Sequence, residues 1–289
     1  MISGLVKNIQ KKDYLFWLKI AVLSVLLGRA YQHFFWRLPY SSIFWDEKLM
    51  HPFLGLLGFD SWDAYLQSSW IDTFQTGAGL VFLLTCILVF FPESLQRRLK
   101  YLFLISGIAL TLVALALFKE QFYRFGQFFE YSAQVGVVYL YFWYLNSSEW
   151  LGKWFDRICR VLLGLTFLCH GLYALGYYPI PYSFQNMIIG TLPFFDELMA
   201  KNFLLFFGVM DMIAVAGLFF PNRKRLFSAA LWYCILWGGL TAFARISGNF
   251  YASMPWDSLH MSAYETLYRF PHFLLPLILL VRMKQRKPS

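Results

Sequence analysis

Apolar residues run along this chain in long blocks separated by short polar intervals. A membrane-spanning helix needs about 20 mostly apolar residues. Eight blocks approach or reach that length, at 14–35, 74–91, 101–118, 127–145, 158–176, 202–220, 226–244 and 270–283. The last block is short, and its helix is expected to begin near Glu265. Lys7, Lys11 and Lys12 precede the first block, as in a signal peptide. Its apolar stretch is longer than a typical signal core and more spans follow, so it reads as an uncleaved first span. The expected fold is an all-α integral membrane protein with eight transmembrane helices.

The polar intervals divide into two kinds. One set comprises the N-terminus, 92–100, 146–157, 221–225 and the C-terminal tail. With Arg160 it holds 16 of the 25 Lys and Arg residues but only 4 of the 16 Asp and Glu residues. The other set carries most of the acids, including Asp46, Glu120, Glu130, Asp196 and Glu265. Excess Lys and Arg mark cytoplasmic loops, so both termini are expected in the cytoplasm.

Composition agrees with this pattern. The 289 residues are 59% hydrophobic and 14% charged, against about 45–50% and about 25% in soluble domains. That excludes a disordered or collagen-like chain and most soluble enzymes. The net charge of +9 follows from topology, so no nucleic-acid partner is expected; the lipid bilayer is the partner, and the basic tails can touch anionic lipid. Cys86, Cys159, Cys169 and Cys234 are scattered and form no C-x-x-C pair.

The outer connections at 36–73, 177–201 and 246–264 are long and rich in Trp, Tyr, Phe and Pro. Within the first, residues 60–71 can place Trp62, Tyr65 and Leu66 on one helical face, either as a helix lying in the interface or as an ordinary capping loop. The chain also repeats itself. Glu120-Gln-Phe-Tyr123-Arg124-Phe125-Gly-Gln127-Phe128 matches Glu265-Thr-Leu-Tyr268-Arg269-Phe270-Pro-His272-Phe273. Leu38-Pro39-Tyr40-Ser41 echoes Ile180-Pro181-Tyr182-Ser183, Phe91-Pro92 echoes Phe220-Pro221, and Lys119 falls opposite Arg245. These echoes come in the same order, which predicts two parallel four-helix repeats, 1–146 and 147–289.

The second half opens Arg160-Val-Leu-Leu-Gly164-Leu-Thr-Phe167-Leu-Cys-His170-Gly171, and its second span ends Ala216-Gly217-Leu-Phe-Phe-Pro-Asn-Arg223. Over about 65 residues this resembles the DoxX-like superfamily of four-helix membrane proteins, whose first helix reads roughly R-x-x-L-G-x-x-F-x-x-H-G. The first half departs from that pattern, with Gly28-Arg29-Ala-Tyr31-Gln32-His33 where His-Gly would stand. The resemblance implies a tandem, diverged DoxX-like protein of a bacterial inner membrane. It also implies proximity to quinone-linked redox chemistry, since members include a small subunit of thiosulfate:quinone oxidoreductase and membrane partners of thiol-redox proteins.

Ionisable residues inside a span are costly and point to function. Arg29, His33, Lys119, Glu120, Arg124, His170, Asp211, Arg245, Glu265, Arg269 and His272 all fall toward the outer half of the bilayer and are the candidate ligand-binding residues. Glu120 with Arg124, and Glu265 with Arg269, stand four apart and can pair on a helix. Such pairs would staple spans or line an outward-facing pocket. A buried guanidinium needs an acceptor, and Asp211 is the in-membrane counter-charge expected for Arg29. His170 reads as a hydrogen-bonded core histidine or as a partner for a proton or a quinone carbonyl. No metal-ligand spacing links the histidines, and no phosphate loop, nucleophile elbow or haem-type pair is present, so catalytic residues stay unknown. Three readings remain: a subunit or scaffold docking a protein partner on the periplasmic side or in the membrane; an oxidoreductase component binding quinone or a small anion; and a transporter or lipid-handling protein.

Overall fold

A computed structural model describes the backbone of residues 2–285 and the side chains of 14–147, 152 and 154–284. The described chain is all-helical, with no strand. Ten helices carry the architecture. They are α1 (Ile2–Phe35), α2 (Trp70–Leu88), α3 (Tyr101–Glu120), α4 (Ser132–Asn146), α5 (Ser148–Ala174), α6 (Tyr182–Thr191), α7 (Glu197–Leu218), α8 (Lys224–Ser247), α9 (Pro255–Arg269) and α10 (Pro271–Gln285).

Among the described residues, seven helical stretches are long and apolar enough to cross a membrane. They are Tyr14–Phe35 of α1, α2, α3, Trp154–Ala174 of α5, α7, α8 and the continuous stretch Pro255–Lys284, in which Phe270 keeps helical geometry between α9 and α10. The block at 127–145 folds differently from expectation. A five-residue helix, Phe125–Phe129, is followed by a break at Glu130 and Tyr131 and then by the 15 residues of α4. At about 1.5 Å per residue, α4 alone falls short of the roughly 30 Å of hydrocarbon.

The inner helices are set by burial. Half or more of the apolar windows of α1 (56%), α5 (50%) and α9–α10 (56%) is covered by protein, against 28% for both α2 and α7. α1 packs on α2, α4, α9 and α10; α5 packs on α7, α4 and α10. Their shared core includes Leu18, Val22, Val25, Phe155, Leu163, Phe167, Leu275 and Ile278. Large apolar side chains on α2, α7 and α8, such as Leu84, Phe206 and Leu236, face outward, as expected of helices whose outer solvent is lipid.

The connections at one end are short and bound by charge. Arg97 pairs with Glu93 at 2.6 Å, and Arg282 on α10 pairs with Asp156 on α5 at 2.6 Å beneath the Tyr14 ring. At the other end the connections read from sequence as loops contain helices. Residues 36–73 fold into Ser41–Phe44, Glu47–Met50, His51–Phe53 and Trp62–Leu66 around a second core of Tyr40, Phe44, Met50, Leu54 and Tyr65. In Trp62–Leu66 the Trp62 and Tyr65 rings stack at 5.2 Å and Tyr65 is buried, whereas Leu66 is exposed. The stretch 177–201 contains α6, and most of 246–264 belongs to α9. Pro255 starts α9, and Ser258, Ser262 and Thr266 lie buried along it at four-residue spacing.

Candidate functional site

Glycine lets the inner helices approach closely. A Cβ on Gly28 of α1 would lie 2.8 Å from the Tyr264 carbonyl oxygen and 2.9 Å from the Tyr268 nitrogen. The next residue, Arg29, therefore enters a space already framed by α9. Its Nη1 donates to Gln32 Oε1 and its Nη2 to Gln134 Oε1, both at 2.7 Å. Its guanidinium carbon sits 4.0 Å above the Tyr268 ring and 5.3 Å from the Tyr131 ring. Only 2% of Arg29 is exposed. His33, one turn on, donates from Nδ1 to the Arg29 carbonyl oxygen (2.6 Å) and meets the Tyr40 hydroxyl through Nε2 at 2.8 Å. Amides and aromatic faces thus hold this cation.

The expected Arg29–Asp211 pair does not form. Asp211 on α7 accepts instead from the Tyr233 hydroxyl of α8 at 2.8 Å. The two expected four-apart pairs are also absent. After Glu120 the chain leaves the helix, with Phe122 and Tyr123 at φ 53° and 59°, and Arg124 is extended. The helical register that would bring Glu120 and Arg124 together is lost there. Its counterpart Glu265 lies within continuous α9 and accepts from Arg245 Nη1 of α8 at 3.3 Å, not from Arg269. The matched sequence motif therefore occupies two different local structures. Lys119 pairs with Asp46 of the outer cap. That hydrogen bond holds the Asp46 carboxyl below the usual carboxylate range.

The second half contains a cavity of about 370 Å³. It lies among α5, α6, α7 and α8 and reaches Arg269 at the end of α9. Its wall is mostly apolar, with Phe184, Ile188, Leu204, Phe207, Trp237 and Leu240. The Phe207 and Trp237 rings stack at 3.8 Å. Its lining on α8 runs from Trp237 to Ser247, about 15 Å of helix. α6 closes one side. A Cβ on Gly190 would lie 2.3 Å from the Gly248 carbonyl oxygen, so the backbones touch there, and Thr191 and Ser247 hydroxyls meet at 3.0 Å.

Four of the sequence candidates line this cavity: His170, Asp211, Arg245 and Arg269. Arg245 and Arg269 are each 9% exposed. Among the described residues Arg269 makes no ion pair, and the Nε atoms of both arginines are buried without a hydrogen-bond partner. The His170 ring stacks parallel to His272 at 5.3 Å. His272 donates from Nδ1 to the Arg269 carbonyl oxygen (2.7 Å), and its Nε2 is buried without a partner. Glu265 and His272 thus support the site from behind, while Arg29, His33, Lys119, Glu120 and Arg124 are not among the cavity's lining residues.

Several contributors were not among the candidates. Gln134, Tyr131 and Tyr268 hold Arg29; Tyr233 holds Asp211; Trp237 walls the cavity. Glu130 is buried, accepts from Gln127 Nε2 at 3.0 Å and lies within electrostatic reach of Arg245 and Arg269. A buried charge advertises itself in sequence; the amides and ring faces that compensate it do not.

Compared with family models, curated proteins and solved structures, the chain matches none.

Proposed function

We propose that this protein is a multi-pass membrane subunit that holds a small elongated amphiphile, quinone-like or anionic, in the cavity of its second half. The cavity itself carries this reading: an apolar chamber within the usual range of about 300–1,000 Å³ for ligand sites, with two buried arginines at one end. Phe207, Trp237 and Leu240 would hold the apolar part. Arg245, Arg269 and His170 would meet the polar head.

The surrounding architecture in this reading is an eight-span, DoxX-like tandem of halves 1–146 and 147–289. Phe125–Phe129 and α4 together make the eighth span. Packing supports the duplication, because the first helix of each half rests on the last helix of the other: α1 on α10 and α5 on α4. The charge distribution supports both termini lying in the cytoplasm of a bacterial inner membrane, with the cavity toward the outer leaflet. The exposed Trp45, Phe53, Leu56 and Trp256 on the outer cap support a second role there, docking a protein partner.

Native mass spectrometry of the purified protein, with thermal-shift measurements against quinones and lipid acids, tests the reading. A bound small molecule, or a shift that a cavity-filling substitution removes, is expected. Absence of both would overturn it. Reporter fusions at 97, 224 and 284 should all report cytoplasm; one external signal would reverse the topology.

A further inference from the structure

We infer that the cavity selects a single-chain carboxylate amphiphile, its acid head on Arg245 and Arg269 and its tail against the Phe207–Trp237 stack; this rests on the ligand-holding reading above. Charge balance is the first argument. Arg29, Arg245 and Arg269 share one buried region with two carboxylates, Glu130 and Glu265. The cavity's other acid, Asp211, is turned to Tyr233 and pairs with none of the three, so one further anion beside the arginines would balance the cluster. Arg29 also leaves its Nε without a partner, but two amides and two rings enclose its guanidinium and it does not line the cavity, so the space for an anion lies at the cavity pair. There Arg245 has one partner at 3.3 Å, Arg269 has no ion pair among the described residues, and both Nε atoms are buried without a partner. Buried polar groups without partners are rare and costly, and an arginine pair presents donors in the fork geometry that suits a carboxylate.

Shape and polarity fix the orientation. Arg245 stands near the end of α8, while Tyr233, which holds Asp211, lies 12 residues earlier in the same helix, or about 18 Å away along the axis. The far end, at Asp211, offers an acid and no cation, so an anionic head finds its partners only at the arginines. Between them the wall offers rings and aliphatic side chains and few polar groups, which suits an unbranched alkyl tail better than a second polar group. Phe184 of α6, 6.0 Å from the Arg245 guanidinium carbon, covers the head from the loop side.

The test uses the full-length protein in nanodiscs, with radiolabelled dodecanoate as the probe and dodecanol and decylubiquinone as competitors. Dodecanoate is expected to bind, with dodecanol at least about tenfold weaker because it lacks the charge-assisted bonds. Arg269→Gln should lose at least about tenfold in dodecanoate affinity and leave dodecanol unchanged. Ala244→Phe, which fills the cavity and keeps both arginines, should abolish binding while retaining a cooperative melt. Equal binding of acid and alcohol, decylubiquinone binding indifferent to Arg269→Gln, or dodecanoate binding that survives Ala244→Phe would each overturn the inference while leaving a ligand-holding protein. Binding by none of the three probes would remove the ligand-holding reading as well.

Discussion

Arg29, packed against α9, and Arg269, the last residue of α9, are both buried arginines, yet one is closed and the other open. Arg29 arrives on a glycine-tight crossing of α1 and α9 and is enclosed by Gln32, Gln134, Tyr131 and Tyr268. No cavity reaches it among those described. Arg269, at the C-terminal end of α9, borders a chamber of about 370 Å³ and makes no ion pair among the described residues. The difference teaches that burial alone does not mark a binding residue. Arg29, Arg245 and Arg269 all leave Nε buried without a partner; what differs is that amides and rings fill the space around the Arg29 guanidinium, whereas a chamber opens beside Arg269.

This contrast can be broken experimentally. The largest effect is expected at the closed site. Arg29→Met leaves the buried Gln134 amide and the half-buried Gln32 amide without their donor and removes a desolvated cation–π contact, worth on the order of 3 kcal/mol in all. A clear drop in melting temperature checks this; a wild-type melt would show that the closed site contributes nothing. Gly28→Ala comes next, at about 1–3 kcal/mol, because its new methyl would strike α9 backbone rather than a movable side chain. Urea or thermal unfolding measures it, and cavity binding should persist in whatever fraction folds.

The open site should respond in the opposite sense. Arg269→Gln removes a cation that neighbours Arg245 and has no ion pair, so the melt should move little while dodecanoate affinity falls. A melt that drops as far as that of Arg29→Met would erase the distinction between the two sites. The smallest effect is expected at the rim, where Lys119 and Asp46 join α3 to the outer cap. Asp46 titrates below its unfolded value, so its contribution is present above the ordinary carboxylate range and is lost as pH falls through the depressed value. Melting temperature against pH for wild type and Asp46→Asn should converge at the acid end; curves that stay parallel there would refute the linkage.

Much of the helical frame was readable because long apolar blocks have few other solutions. The bounds of α3 and α8 follow hydropathy closely, whereas α1 and α7 end near their blocks but begin at Ile2 and Glu197, ahead of them. Residues 255–264 of α9 read as loop because they are polar, although Ser258, Ser262 and Thr266 at four-residue spacing beside Tyr264 and Tyr268 carry a helical signal. The fourth block is less regular than its apolar count suggests. That count suggested one continuous helix, but Phe122 and Tyr123 turn the chain left-handed ahead of it and the helix breaks at Glu130 and Tyr131, so the proposed span there is in two pieces. Pairing was the least legible level. Four-residue spacing offered Glu265 to Arg269, whereas tertiary packing delivered Arg245 from α8. The cavity could not be read at all, since its volume depends on where α6 crosses α8 at Gly190 and Gly248.

The enclosure of Arg29 has a consequence for the order in which the molecule is assembled. Gln32 is a neighbour in the same helix and Gln134 follows within the first half, but Tyr268 lies on a helix made near the end of synthesis. At about 5–20 residues per second, the ribosome needs on the order of ten seconds or more to travel from one to the other. Over that interval α1 sits in the membrane with a cation whose exposure there costs about 3 kcal/mol and with a bare glycine face where α9 will lie. The nascent first half is thus a product in waiting. It needs temporary shelter from the insertion machinery or from lipid phosphate, and it reaches its own minimum only when the last helix pair of the chain slides in beside the first.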